Sequence, residues 1–136
     1  MKKLAYFTLV LVLLASCGGK SSHKSEASQS EGAAAHVTQV LCFHSKQRCA
    51  TCILMEKLAQ EVVDSIHSDS VVIKVIDISK SENEAIADKY KVSWSSLVLD
   101  HGGKVNDFTE TAFKYARTDS ARFKVLLREA IAGMAH

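Results

Sequence analysis

The chain has 136 residues, 47% of them hydrophobic and 24% charged, with 17 Lys and Arg against 15 Asp and Glu. That length leaves room for about one small domain with a single core. A formal charge of +2 gives no basic patch of the kind that binds nucleic acid or holds a protein to a membrane by charge alone.

In chain order, residues 1–16 carry Lys2 and Lys3, an apolar run from Leu4 to Ala15, and small residues before Cys17. That is the pattern of a secretory signal. The run is short for a ~30 Å hydrocarbon core, so a retained transmembrane helix is the weaker alternative. Leu14-Ala15-Ser16-Cys17 also resembles the bacterial lipobox, in which the cysteine thiol receives a diacylglycerol and becomes the mature N-terminus. The resemblance implies a lipid on Cys17 and a place in the bacterial cell envelope, with the domain facing the periplasm or exterior. The alternative is an ordinary signal cleaved nearby, with Cys17 left as a free thiol. Two or more acyl chains hold a protein stably at a membrane without a spanning segment. Without Lys2 and Lys3 the mature chain has 15 basic and 15 acidic residues and is formally neutral.

Residues 17–36 begin with the lipobox cysteine and continue with GGKSSHKSEASQSEGAAAH, rich in Ser, Gly, Glu and Lys and without apolar periodicity. It reads as a flexible tether with a root-mean-square reach of roughly 25 Å. His23 and His36 are solvated residues of that tether and receive no role.

The domain proper is residues 37–136. Val37 to Phe43 is a β-rich run, and the loop His44 to Arg48 leads from it to Cys49. From Ala50 to about His67, Ile53, Leu54, Leu58, Val62 and Ile66 recur at three- and four-residue steps, which marks an amphipathic helix. Val71 to Ile78 is nearly all apolar, the composition of a parallel strand covered on both faces. Glu82 to Lys91 is helical in composition. Leu97–Leu99 and Val105–Phe108 flank Gly102-Gly103, a pair suited to a tight antiparallel turn. Asp119 suits the cap of a last helix whose buried stripe is Phe123, Leu126, Leu127, Ala130, Ile131 and Met134.

The order β-α-β-α-β-β-α predicts an α/β fold, a mixed four-stranded sheet flanked by about three helices. A right-handed crossover makes the first two strands parallel, and the glycine turn adds an antiparallel hairpin at an edge. Cys49 and Cys52 then lie at the carboxyl end of a strand and the amino end of a helix, where open α/β sheets place their chemistry.

Element order, length and the position of Cys49-Ala50-Thr51-Cys52 make residues 37–136 resemble the thioredoxin fold. The segment Phe43 to Cys52 is similar to small bacterial thioredoxin-like lipoproteins, some labelled nitroreductase subunits. Nothing in the chain resembles a flavin site, so no cofactor is assigned.

The residues themselves also favour redox chemistry. At a helix start Cys49 faces unpaired N–H groups and the positive end of the helix dipole, and Arg48 adds a cation; both favour thiolate. Cys49 is then the attacking sulfur, and Cys52, one turn on, closes the disulfide and releases a partner. As a structural staple the pair would be poor, because so short a loop constrains the unfolded chain little. The expectation is a membrane-anchored thiol-disulfide oxidoreductase acting on a protein or small-molecule disulfide or dithiol.

A thiol-based metal or metalloid carrier is the alternative. Cys42 and His44 fall on one side of the first strand; if that side faces the pair, Cys42, His44, Cys49 and Cys52 form a set suited to Zn(II), Cu(I) or a thiophilic metalloid. Against it, a small apolar role for Cys42 between sheet and helix is the plainer reading. Many relatives of the fold place a cis-proline opposite the cysteines, where it helps keep metals off the thiols. This chain has no proline, and Ser96 falls at that position with an expected trans bond. Asp77 is a possible proton acceptor but suits a turn towards Ser79 better. Trp94 reads either as part of a docking surface or as a core aromatic, and Glu56 and Lys57 as a solvated helix face. No Ser-His-Asp set, phosphate-binding glycine loop or calcium loop is present.

Overall fold

The computed structural model describes residues 37–136. The segments expected to be a signal, 1–16, and a lipidated cysteine with its tether, 17–36, lie outside the described residues. Four strands, β1 (Thr38–His44), β2 (Val71–Asp77), β3 (Ser96–His101) and β4 (Lys104–Asp107), form one sheet in the order β2-β1-β3-β4. β1 and β2 are parallel, and β3 is antiparallel to both β1 and β4. Helices α1 (Ala50–Ile66), α2 (Glu84–Lys89), α3 (Thr109–Tyr115) and α4 (Ser120–Met134) complete the domain, with a 3-10 turn at Ser81–Asn83.

Strand alternation in β1 divides the interior into two cores. Val40 and Cys42 join Met55, Leu58, Val62, Leu97, Phe123 and Leu127 in the larger one, between the sheet and α1, α3 and α4. Leu41 and Phe43 join Ile76 and Val98 in the smaller one, closed by Ile86, Tyr90 and Val92 of α2 and its flank. β1 and β3 are therefore buried on both faces. β2 is not: it is an edge strand, and Val75 is 47% exposed. The run VVIKVIDI owes its apolar character to one covered face and to β propensity, not to burial on both faces.

The Gly102-Gly103 turn is as expected. Its residues have φ of +58° and +93° between the paired His101 and Lys104, a backbone that matches the twist of a two-residue hairpin and strains any residue with a Cβ. Asp119 caps α4 as expected, its carboxylate accepting the Arg122 N–H at 2.8 Å. Helix α3 is the element beyond the expected order. The Asp107 carboxylate accepts the Thr109 N–H at 2.9 Å, and Thr109 is pinned to β3 where its hydroxyl accepts the Leu97 N–H at 3.0 Å. Those two contacts start a helix of seven residues, too short to stand on propensity alone.

Asp100 in β3 is 3% exposed yet ionisable. It accepts from the Tyr90 hydroxyl and from the Gly103 N–H, and Lys89 lies 3.5 Å away. Burial alone would raise its carboxyl; the Tyr90 and Gly103 hydrogen bonds and the Lys89 charge bring it below the ordinary range. The carboxylate ties α2 to the hairpin turn.

Candidate functional site

The carboxyl ends of β1 and β2, the amino end of β3 and the start of α1 meet at one pole of the sheet. Cys49 is the N-cap of α1, with φ −76° and ψ 154°, and its Sγ receives the Cys52 N–H at 3.0 Å. No acidic residue occupies the first turn, so the cap acceptor at the positive end of the helix dipole is sulfur. Cys49 and Cys52 form a disulfide with a Cα–Cα distance of 5.1 Å. Cys49 is exposed and Cys52 is buried. One sulfur is thus open to a partner and the other is reached only through it.

Cys42 is a free thiol inside the larger core, 6% exposed. Burial pushes it up to about 12, Glu56 adds to the rise and Arg48 opposes it. A thiol so held stays protonated at neutral pH and is neither nucleophile nor ready ligand. His44 is half-buried at the end of β1, with Nδ1 at 3.1 Å from the Ser45 carbonyl oxygen. Among the described residues, no three His, Cys, Asp or Glu side chains gather as a metal site. In this disulfide form Cys42, His44, Cys49 and Cys52 are not gathered as a ligand set, the core holding Cys42 and the disulfide joining the other two sulfurs.

Arg48 and Glu56 are where the structure departs from expectation. Their side chains form an ion pair, each about a third exposed or less. Glu56 is therefore not part of a freely solvated face, although its neighbour Lys57 is exposed. Arg48 gives its guanidinium to the Glu56 carboxylate. The signal was weak in sequence: the two are eight residues apart, and only the loop's approach to the helix brings them together.

Asp77 turns the chain, accepting the Ser79 N–H at 3.0 Å and hydroxyl at 2.6 Å. Those hydrogen bonds hold its carboxyl below the ordinary range, which suits a cap better than a proton acceptor. Ser96 opens β3 opposite Phe43 of β1, next to buried Ser95, and the described peptide bonds are all trans. Its hydroxyl donates to the Trp94 carbonyl at 3.2 Å. Trp94 is not a core aromatic. It is 60% exposed and stacks on Phe113 of α3, ring centroids 5.6 Å apart and planes within 8°. Ile53, the residue after Cys52, is 51% exposed. This end of the sheet therefore carries a disulfide with one open sulfur and large apolar side chains facing solvent.

Solved structures share this architecture. Thioredoxin from Fasciola hepatica is similar with a TM-score of 0.53 and 21% identity, over 76% of this chain and 86% of that one. Deadhead, a germline-specific thioredoxin of Drosophila melanogaster, is similar with a TM-score of 0.51 and 23% identity, over 72% and 85%. Human ERp44 gives 0.52 at 16% identity, over 82% of this chain but 30% of its own. At such identities the likeness speaks for the fold. No protein-family model matches the chain, and no curated protein matches it by sequence.

Proposed function

From a thioredoxin-like fold with a Cys-Ala-Thr-Cys disulfide at its helix start, we propose that this chain is a thiol-disulfide oxidoreductase, held at a membrane of the bacterial cell envelope by a lipid on Cys17. The observation that carries the redox part is the asymmetry of the pair, one sulfur exposed at the N-cap and the other buried one turn on. In the reduced protein the Cys49 thiolate attacks one sulfur of a partner disulfide, and the partner's other sulfur leaves as thiolate. Cys52 then loses its proton and attacks Cys49, which restores the protein disulfide and frees the partner's second thiol. Run backwards, the same steps oxidise a partner dithiol. The helix dipole and the Cys52 N–H stabilise Cys49 as attacking and as leaving group alike.

The partner is a protein or a small disulfide. Ile53 and the Trp94–Phe113 stack favour a protein, because exposed aromatic and aliphatic groups beside a reactive centre supply contact area at little entropic cost. The anchor rests on Leu14-Ala15-Ser16-Cys17 and the signal before it. Among the described residues no helix is long and apolar enough to cross a membrane. The test of the redox proposal is equilibration of the full chain with glutathione buffers, followed on the Cys49–Cys52 pair. A reversible two-electron transition supports it. A pair that stays oxidised, or stays reduced, at every accessible ratio and passes no electrons to a protein disulfide overturns it.

A further inference from the structure

Cys52 and Glu56 stand one turn apart on one side of α1, and Arg48 lies in the loop just before the N-cap Cys49. The Arg48–Glu56 ion pair therefore spans the turn that holds Cys52. The pair lies at the surface where the loop meets α1, its side chains 31% and 28% exposed, and both charges bear on the buried Cys42 thiol, in opposite senses. The other ionisable groups that neighbouring elements carry to this pole are few. His44 ends β1, Asp77 ends β2 and is committed to Ser79, and Lys46 and Lys57 are exposed. The segment Trp94–Ser96 brings none, and Glu110 and Lys114 of α3 are exposed.

We infer that Glu56 is a positioning residue that holds Arg48 away from the Cys49 thiolate in the reduced protein, and so limits how strongly the site favours its reduced form. The inference rests on the redox reading of the pair. When an external dithiol reduces the disulfide, its two sulfurs join to each other and the Cys49–Cys52 bond breaks. Cys49 departs as thiolate, Cys52 keeps one of the dithiol's protons and the other goes to solvent. The new anion sits at the N-cap, where the Cys52 N–H already points at Sγ. A guanidinium free to turn towards it would add a charge-assisted hydrogen bond. While Glu56 holds that guanidinium, the thiolate has a neutral ion pair beside it instead of a cation. Glu56 thus acts on Cys49 through Arg48, without touching the sulfur.

The test is the pH profile of Cys49 alkylation in the reduced full chain, read by mass spectrometry on the peptide that carries Cys49. Four proteins are compared: wild type, Glu56→Gln, Arg48→Ala and the double variant. Gln is isosteric with Glu and the position is on the surface, so the fold is kept. Glu56→Gln should move the midpoint down by about one pH unit, the low end of the effect of a nearby opposite charge. In the Arg48→Ala background the same substitution should move it by less than a third of that. A downward shift of equal size in both backgrounds overturns the inference, because Glu56 would then act by its own charge. No shift in the wild-type background overturns it as well. Alkylation needs no partner, so a protein inert towards disulfides would sink the oxidoreductase proposal while leaving this profile to be judged separately.

Discussion

Replacing Cys42 with alanine should cost the domain a little stability and leave disulfide exchange untouched. Its sulfur is buried among apolar side chains, and removing it loses a transfer term of about 0.8 kcal/mol, by analogy with a buried methylene. The void left is roughly 25 Å³, which at about 24 cal/mol per Å³ adds about 0.6 kcal/mol. A total of about 1.4 kcal/mol should lower Tm by roughly 5–10 °C in a domain of this size. The thiol offers nothing to exchange in return. Held near 12, it is about one part in ten thousand thiolate at pH 8. Thermal unfolding by circular dichroism measures the first effect, and turnover of a protein disulfide such as insulin measures the second, which should stay within a factor of two of wild type. A folded Cys42→Ala variant that has lost exchange would refute the reasoning, as would alkylation of native Cys42 at a rate comparable with Cys49.

Asp100→Ala leaves the Tyr90 hydroxyl and the Gly103 N–H without their acceptor and should cost about 2–3 kcal/mol in urea unfolding. The folded carboxyl is depressed, so its stabilisation is present above the unfolded value of about 3.9 and is lost as pH falls through the folded value. Wild type should therefore lose stability below about pH 4 more steeply than the variant does. Trp94→Ala should weaken turnover of a protein disulfide about five- to tenfold through KM, as loss of an interface aromatic does, while exchange with glutathione disulfide changes less than twofold. Equal effects on both substrates would remove Trp94 from docking. Cys17→Ser should move the protein from the membrane fraction to the soluble one and remove the mass of the acyl chains; unchanged retention without lipid mass would refute the anchor.

Elements with long, regular patterns were legible in the sequence. The helical period of α1 and the Asp119 cap of α4 stand out, but the expected α1 stripe is only partly right: Leu58 and Val62 are buried, Ile53 is exposed, and Met55 and Ala59 take buried positions the stripe omitted. The Gly102-Gly103 hairpin is equally plain, since few other residues accept its backbone. Helix α3 was not legible, because seven residues show barely two turns of period and its start depends on Asp107 and on a hydroxyl bonded to β3. The position of β2 at an edge is a property of the whole sheet, and an apolar run alone does not reveal which strand lies outermost. At the site, the cysteine pair and its place at a helix start were legible from spacing. The Arg48–Glu56 pair, the exposure of Trp94 on Phe113 and the burial of Asp100 against Tyr90 were not. Each is made by a loop folding back, and no local period encodes it.

The central claim is that Cys49 attacks and Cys52 resolves, and trapping tests it most directly. Reduced Cys52→Ser and Cys49→Ser chains are offered the same protein disulfide, and covalent adducts are resolved on a non-reducing gel and mapped by mass spectrometry. Without its resolving thiol, Cys52→Ser should accumulate a mixed disulfide through Cys49, while Cys49→Ser should trap none, because the remaining sulfur is buried. Equal trapping by both variants, or adducts formed through Cys52 alone, would contradict the account.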